Sequence, residues 1–146
     1  MPTIAVRSGG PARTTPKRVP TKNSKERELQ LFVMKHLNLA ENQVQYEPKQ
    51  LELRGGHVCA FDLWVPKYRI HLERTQADTF AQSDSRRRRH LALQSLERKY
   101  RQAREYEQLN PDKRVLIVTD ATWELMRREP SRLLALIGIS LAEVAA

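Results

Sequence analysis

The sequence has a single cysteine, Cys59, and no run approaching the roughly 20 apolar residues that a membrane span requires. One cysteine cannot form a disulfide within the chain, and it cannot supply the thiolates of a structural zinc site. The first residues are interrupted by Pro, Gly, Thr and Arg, which is unlike an apolar signal segment. We therefore expect a cytoplasmic protein that has no membrane partner.

The sequence also has fewer acidic than basic residues. The chain has 17 Asp and Glu against 26 Lys and Arg, and its pI is near 10.1. A protein this basic favours a polyanionic partner, of which nucleic acid is the commonest. A basic ribosomal protein, or one that is basic for solubility, is the alternative. The length of 146 residues is typical of one domain with its own core.

Residues 1–22 contain no acid and are rich in Pro, Gly, Thr and Ser. Such a segment buries too little apolar surface to offset the entropy of ordering it, so we predict a disordered basic arm followed by one domain over residues 23–146. The arm either contacts phosphates or is a solvated tail. Its basic residues are Arg7, Arg13, Lys17, Arg18 and Lys22.

A helix is predicted to begin at Asn23 or Ser24, each of which can cap its N-terminus. With Asn23 as the cap, Glu26 completes a capping box. Glu26 falls at the edge of the apolar stripe on a helical wheel, so it leans toward the core. The stripe consists of Leu29, Phe32, Val33 and Leu37.

Extended segments follow, separated by turn residues. Arg54-Gly55-Gly56 and Pro66-Lys67-Tyr68 predict turns, because Gly tolerates positive φ and Pro presets a turn conformation. The predicted strands are 44–46 and 51–53 with a break at Pro48, then 57–65 and 69–75.

A long helix is predicted over 83–109 and a strand covered on both faces over 114–119. Asp120 or Thr122 should cap another helix, and Ser140 with Glu143 indicates a last capped turn after a stop at Gly138. The order of elements predicts an α/β fold with a mixed sheet flanked by helices. The buried stripe predicted for the long helix is Leu93, Leu96, Tyr100 and Ala103.

Two acids should meet on the hairpin around Pro66-Lys67-Tyr68. Asp62 is predicted to lie across from Leu72 or Glu73, and alternation puts Glu73 on one face with His71 and Thr75. Two converging carboxylates suit Mg²⁺, which could activate water and stabilise charge at a phosphate. The alternative for each acid is a solvent-facing residue or a salt-bridge partner of one of the many arginines.

The sequence resembles the restriction-endonuclease-like superfamily, whose core is α-β-β-β-α-β. The likeness covers about two-thirds of the chain, from Ser24 to Thr119, and it is greatest to the endonuclease subunit of heteromeric transposons. Junction-resolving phage endonucleases are more distantly similar. The matching pieces are Ser-Lys-Glu-Arg at 24–27, Val-Gln-Tyr-Glu-Pro at 44–48, Phe-Asp-Leu at 61–63, His-Leu-Glu at 71–73 and Leu-Ile-Val-Thr-Asp at 116–120.

The resemblance implies that Asp62 and Glu73 are the metal-binding carboxylates and that Glu26 supports the metal. It also implies a lysine two residues after Glu73, where this chain has Thr75, and a proline before the aspartate, where it has Phe61. A threonine can position water but carries no positive charge. Either the site is therefore catalytically weak or inactive, or another group replaces the lysine. The candidates are Gln76, Lys67 and Arg74, of which Arg74 ranks last because strand alternation directs it to the other face.

Arg86 to Arg89 form the densest charge in the chain. Four consecutive basic residues cover a full helical turn, so we predict that this cluster clamps DNA phosphates; a solvated junction before the helix is the alternative. Further predicted nucleic-acid contacts are Arg98, Arg101 and Lys67.

Three functions remain open from the sequence. The first is a Mg²⁺- or Mn²⁺-dependent DNA endonuclease with catalytic residues Glu26, Asp62, Glu73, Thr75 and Gln76, acting as a subunit of a transposition or recombination complex. The second is an inactive DNA-binding or assembly subunit of the same fold. The third is a basic protein bound to RNA or the ribosome. Protein partners would be other transposase or recombinase subunits, and a homodimer is left open.

Overall fold

The structure, a computed structural model, describes residues 24–47 and 50–145. The predicted basic arm and the capping role of Asn23 lie outside these ranges. The helices are α1 (Ser24–Leu37), α2 (Ala77–Phe80), α3 (Arg86–Leu109), α4 (Asp120–Arg128), α5 (Ser131–Ile137) and α6 (Leu141–Ala145). The strands are β1 (Gln45–Tyr46), β2 (Leu51–Glu52), β3 (Val58–Cys59), β4 (Leu63–Val65), β5 (Ile70–Arg74) and β6 (Arg114–Val118).

The main sheet has four strands in the order β1-β4-β5-β6. Strand β4 is antiparallel to both β1 and β5, whereas β5 and β6 run parallel. A parallel pair needs a crossover between its strands, and the chain supplies it with α2 and α3. The predicted mixed α/β sheet is therefore confirmed.

The predicted single strand over 57–65 is wrong. Strand β3 pairs with β2 in a separate two-stranded sheet, and β4 belongs to the main sheet. The chain passes from one sheet to the other around Phe61, which is buried with Ala103 and Tyr106 of α3. The Gly turn that joins β2 and β3 is confirmed, with φ of 67° at Gly55.

The main core lies between the sheet and α1, α4 and α5. Leu29, Val33 and Leu37 of α1 are buried there, as the helical stripe predicted, while Phe32 is half-buried at its edge. The sheet contributes its alternate positions, and α4 and α5 complete the layer; the residues are Leu63, Val65, Ile70, Leu72, Val118, Met126, Leu133 and Ile137.

Helix α3 buries a different face from the predicted one. Leu93 is 52% exposed and Tyr100 is 40% exposed, whereas Ala92, Ala103 and Tyr106 are buried. Small alanines let a helix backbone approach its neighbours closely, and α3 packs against α2 and β6 along this side. Of the predicted stripe, Ala103 alone is buried and Leu96 is half-buried.

The C-terminal helices follow the predicted turns with one change. Thr119, not Asp120 or Thr122, caps α4, because its side chain accepts the backbone N–H of Thr122. Gly138, with φ of 72°, ends α5, and Ser140 and Glu143 exchange hydrogen bonds before α6 as predicted. Within the described ranges, no helix has the length and apolar content to span a bilayer.

Candidate active site

The β4–β5 hairpin brings Asp62 and Glu73 together. Leu63 pairs with Leu72, so Asp62 and Glu73 occupy the next opposed positions, whose side chains point to the same face. Hydrogen bonds fix Asp62: its backbone N–H donates to Leu72 O over 3.0 Å, and its Oδ2 accepts the backbone N–H of Arg74 over 2.7 Å. Both carboxylates are buried, with exposures of 9% and 7%.

Glu73 lies in an unusual environment for a carboxylate. Its Oε2 accepts a hydrogen bond from Lys99 Nζ at 2.5 Å, whereas its buried Oε1 has no hydrogen-bond partner among the described residues. Burial and the neighbouring charge of Asp62 raise the pKa of Glu73 to about 7, although the Lys99 ammonium acts in the opposite direction. A buried carboxylate beside a second one therefore holds a proton more readily than an exposed glutamate does.

Lys99 was not among the residues predicted from the sequence. It lies on the buried face of α3, seven positions after Ala92 and four before Ala103, and its side chain is 22% exposed. Positions separated by four and seven residues share one helical face, so the packing of Ala92 and Ala103 directs Lys99 toward the sheet. In the sequence, the feature that could have indicated Lys99 is its position on the helical face that carries the small residues Ala92 and Ala103.

Thr75, the residue at the expected lysine position, shapes the turn after β5. Its Oγ1 accepts the backbone N–H of Ala77 over 3.1 Å, and its own N–H donates to Val118 O over 3.0 Å. Gln76 is the N-cap residue of α2, and its side chain makes no capping hydrogen bond. These two residues join the sheet to the short helix beside the carboxylate pair.

Of the other two substitutes considered for the missing lysine, Arg74 borders a neighbouring cleft and Lys67 lies on the hairpin turn. Arg74 packs on the opposite face, as alternation predicted: its guanidinium pairs with Asp120 at 2.8 Å and lies over the Trp123 ring. Lys67 is on the hairpin turn, at the far end of β5 from Glu73, with its Nζ 5.5 Å from the centre of the Tyr68 ring. Lys99 is the cation that contacts Glu73.

Glu26 is buried in the first turn of α1, with 4% exposure. It lines a cleft that also reaches Thr75 and Gln76. Among the described residues, no group of three or more His, Cys, Asp or Glu is arranged to hold a metal ion. Asp62 and Glu73 are thus a pair at the sheet, with Glu26 in the wall of the adjoining cleft, and its supporting role toward a metal remains a prediction.

The cleft has a volume of about 870 Å³ and a basic rim. Lys25, Arg87 and Arg88 line it, so half of the Arg86–Arg89 cluster faces the space beside the site. Ser85 caps α3 through the Arg88 N–H, and Arg89 donates to Ser83 O. Arg98 and Arg101 are exposed further along α3.

His71 shares the face of Glu73, as predicted, but it is a packed residue. Its Nδ1 lies 2.8 Å from Glu47 Oε2 and its Nε2 lies 2.9 Å from the Tyr106 hydroxyl, with only 2% of the residue exposed. Burial and the charge of Glu47 raise the pKa of Tyr106 to about 12, so this hydroxyl keeps its proton. The hydrogen bonds that link Glu47, His71 and Tyr106 hold α3 against the sheet.

The two central strands therefore carry a buried carboxylate pair with a lysine in contact with it. The basic cleft is lined by Thr75 and Gln76, which follow Glu73 in the chain, and not by the two carboxylates themselves. Hard oxygen ligands and cations in this combination are suited to phosphate chemistry. Comparison with models of protein families, with curated proteins and with solved structures finds no match for this chain.

Proposed function

We propose that the protein is a metal-dependent endonuclease that hydrolyses phosphodiester bonds in DNA. The observation that carries the proposal is the contact of Lys99 with Glu73 beside Asp62. It combines two carboxylates of the β4–β5 hairpin with one cation from α3, next to a cleft whose rim is basic. The resemblance to restriction-endonuclease-like enzymes supports the same roles for Asp62 and Glu73.

The residues fit a divalent cation of the Mg²⁺ type. Glu73 Oε1 is buried without a hydrogen-bond donor among the described residues, and burial together with the charge of Asp62 raises the pKa of Glu73 to about 7. Mg²⁺ is commonly held by one or two carboxylates together with waters and substrate phosphate, so Asp62 and Glu73 would suffice as protein ligands. When bound, Mg²⁺ or Mn²⁺ supplies Lewis acidity and lowers the pKa of a coordinated water.

Lys99 would have the catalytic role that the resemblance assigns to a lysine at the position of Thr75. An ammonium held at the carboxylate pair stabilises negative charge that develops on the attacked phosphate, and it donates hydrogen bonds that orient water. The half-buried environment strengthens such an interaction because fewer waters screen it. Thr75 retains a role in shaping the turn beneath the cleft.

Arg87 and Arg88 would hold the DNA backbone next to the site. Both line the cleft, so phosphates bound there would lie beside Glu26 and Thr75. The likeness to the endonuclease subunit of heteromeric transposons supports a place in a transposition or recombination complex. In such a complex, this chain would bind DNA together with the partner subunits.

The test is cleavage of supercoiled plasmid and branched DNA in Mg²⁺ or Mn²⁺. Wild type should nick, and Glu73→Gln should lower the rate by roughly 10²-fold or more, because the substitution removes a charge but keeps the shape. Glu124→Gln is the matched control, since Glu124 is exposed on α4 and paired with Arg127. Equal nicking by all three proteins would indicate a contaminant and would overturn the proposal.

A second candidate is a DNA-binding subunit without catalytic activity. The observation in its favour concerns Thr75, which stands at the position of the expected lysine. Its side chain carries no charge, and its Oγ1 accepts the backbone N–H of Ala77 in the turn after β5. Wild type that binds DNA but nicks no faster than Glu73→Gln, in either metal, would support this candidate over the enzyme.

A further inference from the structure

The cleft beside the carboxylate pair has an apolar wall as well as a basic rim. Phe80, the last residue of α2, is 45% exposed there, and Leu91 on the first turns of α3 is 51% exposed. Ala77 and Ala92 line the same space. Isolated exposed apolar residues are ordinary on protein surfaces, but Phe80 and Leu91 line a single concavity whose wall the buried Ala77 and Ala92 complete.

One cation lies near the exposed aromatic ring, and others line the same cleft. The Arg88 guanidinium lies 6.0 Å from the centre of the Phe80 ring, and Lys25 and Arg87 also line the cleft. A ring in contact with a cation can stack a base on its free face, while the guanidinium remains close to the phosphate of the same nucleotide.

Phosphate binding alone does not require the apolar wall. A continuous duplex presents phosphates outward and keeps the faces of its bases stacked on one another, so arginines alone would serve it. An aromatic side chain can stack only on a base that has left the helix or was never paired. A volume of about 870 Å³ is within the roughly 300–1,000 Å³ of pockets that enclose small ligands, so a nucleotide fits.

We infer that the cleft binds an unpaired nucleotide of the DNA strand next to the cleaved phosphate, with its base stacked on Phe80. The inference rests on the proposed function and specifies its substrate class: DNA with a single-stranded portion, such as a flap, a fork or a branch, in preference to uninterrupted duplex. Arg87 and Arg88 hold the phosphates of that nucleotide, and Leu91 packs against the sugar or the base edge.

The experiment measures binding of single-stranded, flapped and fully duplex oligonucleotides by fluorescence anisotropy, with Ca²⁺ in place of Mg²⁺ to suppress cleavage. Phe80→Ala should weaken binding of the single-stranded and flapped forms roughly 5- to 150-fold, the range expected for loss of one stacked base, and duplex binding by less than about 2-fold. Phe80→Trp should restore it. Leu93→Ala, an exposed position of α3 outside the cleft, is the control.

A base analogue whose fluorescence is quenched by stacking gives a second measurement. Placed in the unpaired strand, it should be quenched by wild type and by Phe80→Trp but not by Phe80→Ala. Equal losses on duplex and unpaired DNA, or no loss on either, would overturn the inference even if cleavage is observed. A selective loss without any cleavage would support the cleft and contradict the enzyme instead, so the two failures are distinguishable.

Discussion

Lys99 and Glu73 form a hydrogen bond of 2.5 Å although 26 positions separate them in the chain. The lysine comes from α3, and the glutamate comes from the central part of the sheet. The positive charge at the carboxylate pair is therefore supplied by a packed helix rather than by the strand that carries the glutamate. This arrangement makes the orientation of α3 part of the site.

Replacement of Lys99 by methionine should abolish most nicking activity. Methionine keeps much of the side-chain length but removes the charge, so we expect a rate roughly 10²- to 10³-fold lower, in the range for loss of one electrostatic stabiliser. The measurement is the rate of plasmid nicking at saturating Mg²⁺.

Lys113→Met is the control for that substitution. Lys113 is half-buried, and its Nζ lies 3.9 Å from Asp112 Oδ2. It is well separated in the sequence from Asp62 and Glu73. Its replacement should change the nicking rate by less than about 2-fold. Similar losses in both variants would mean that Lys99 acts only through general charge, and the role assigned to it would be wrong.

The sequence predicted the carboxylate pair because its geometry is local. The short turn around Lys67 fixes which residues of β4 and β5 oppose each other, and alternation then decides which side chains share a face. The buried side of α1 was predictable for a similar reason, since Leu29 and Val33 recur at helical spacing over a helix with one strongly apolar side.

The lysine was not predictable in the same way. Leu93 and Tyr100 are bulky apolar residues of α3 that stay exposed, because the helix buries the face of Ala92, which is rotated by about 100° from Leu93. Close approach through small side chains and a hydrogen bond to Glu73 determine that orientation, and both depend on the partner surface rather than on the helix sequence. The break at Phe61 between two sheets depends on tertiary contacts too.

The stability of the metal-free protein should depend on pH through Glu73. Its pKa of about 7 in the folded state exceeds the ordinary value of 4.5, so the folded protein holds this proton more tightly than the unfolded chain. The associated stabilisation is fully present below pH 4.5 and is lost as the pH rises through 7.

Glu73→Gln removes this titration. At pH 8 without metal the variant should be more stable than wild type by about 3 kcal/mol, since a pKa of about 7 lies 2.5 above the ordinary 4.5 and each pKa unit corresponds to about 1.4 kcal/mol, and the difference should shrink toward pH 4.5. Urea unfolding at several pH values measures it, with Glu124→Gln as the control variant. A variant that is less stable at pH 8 would contradict the raised pKa.

Addition of Mg²⁺ should stabilise wild type at pH 8. Binding to the folded state alone at about 100 times the Kd adds about 2.7 kcal/mol, which raises the melting temperature by several degrees. Glu73→Gln, which lacks one ligand charge, should show a much smaller shift, whereas Glu124→Gln should behave as wild type. The same shift in all three proteins would place the ion outside the carboxylate pair.

Asp120 should matter for stability rather than for catalysis. Its carboxylate holds the Arg74 guanidinium, whose side chain is only 4% exposed, so Asp120→Ala would leave a buried charge without its partner. We expect a loss of roughly 1–3 kcal/mol in urea unfolding, reduced from the fully buried case because Asp120 is 25% exposed. Asp112→Ala breaks the exposed pair with Arg69 and should cost less than about 1 kcal/mol.

The arginine cluster predicts a specific change in salt dependence. Arg87→Glu/Arg88→Glu should weaken binding to every DNA sequence and reduce the slope of log K against log salt by roughly 2, because each lost phosphate contact removes about 0.9 from the slope on duplex DNA. Arg127→Glu/Arg128→Glu makes the same change of net charge at exposed positions of α4. If this control lowers the slope equally, the binding is a property of the overall charge of the protein. If it leaves the slope near the wild-type value, the phosphates are bound at the cleft, and the two arginines lie along the path by which DNA reaches Asp62 and Glu73.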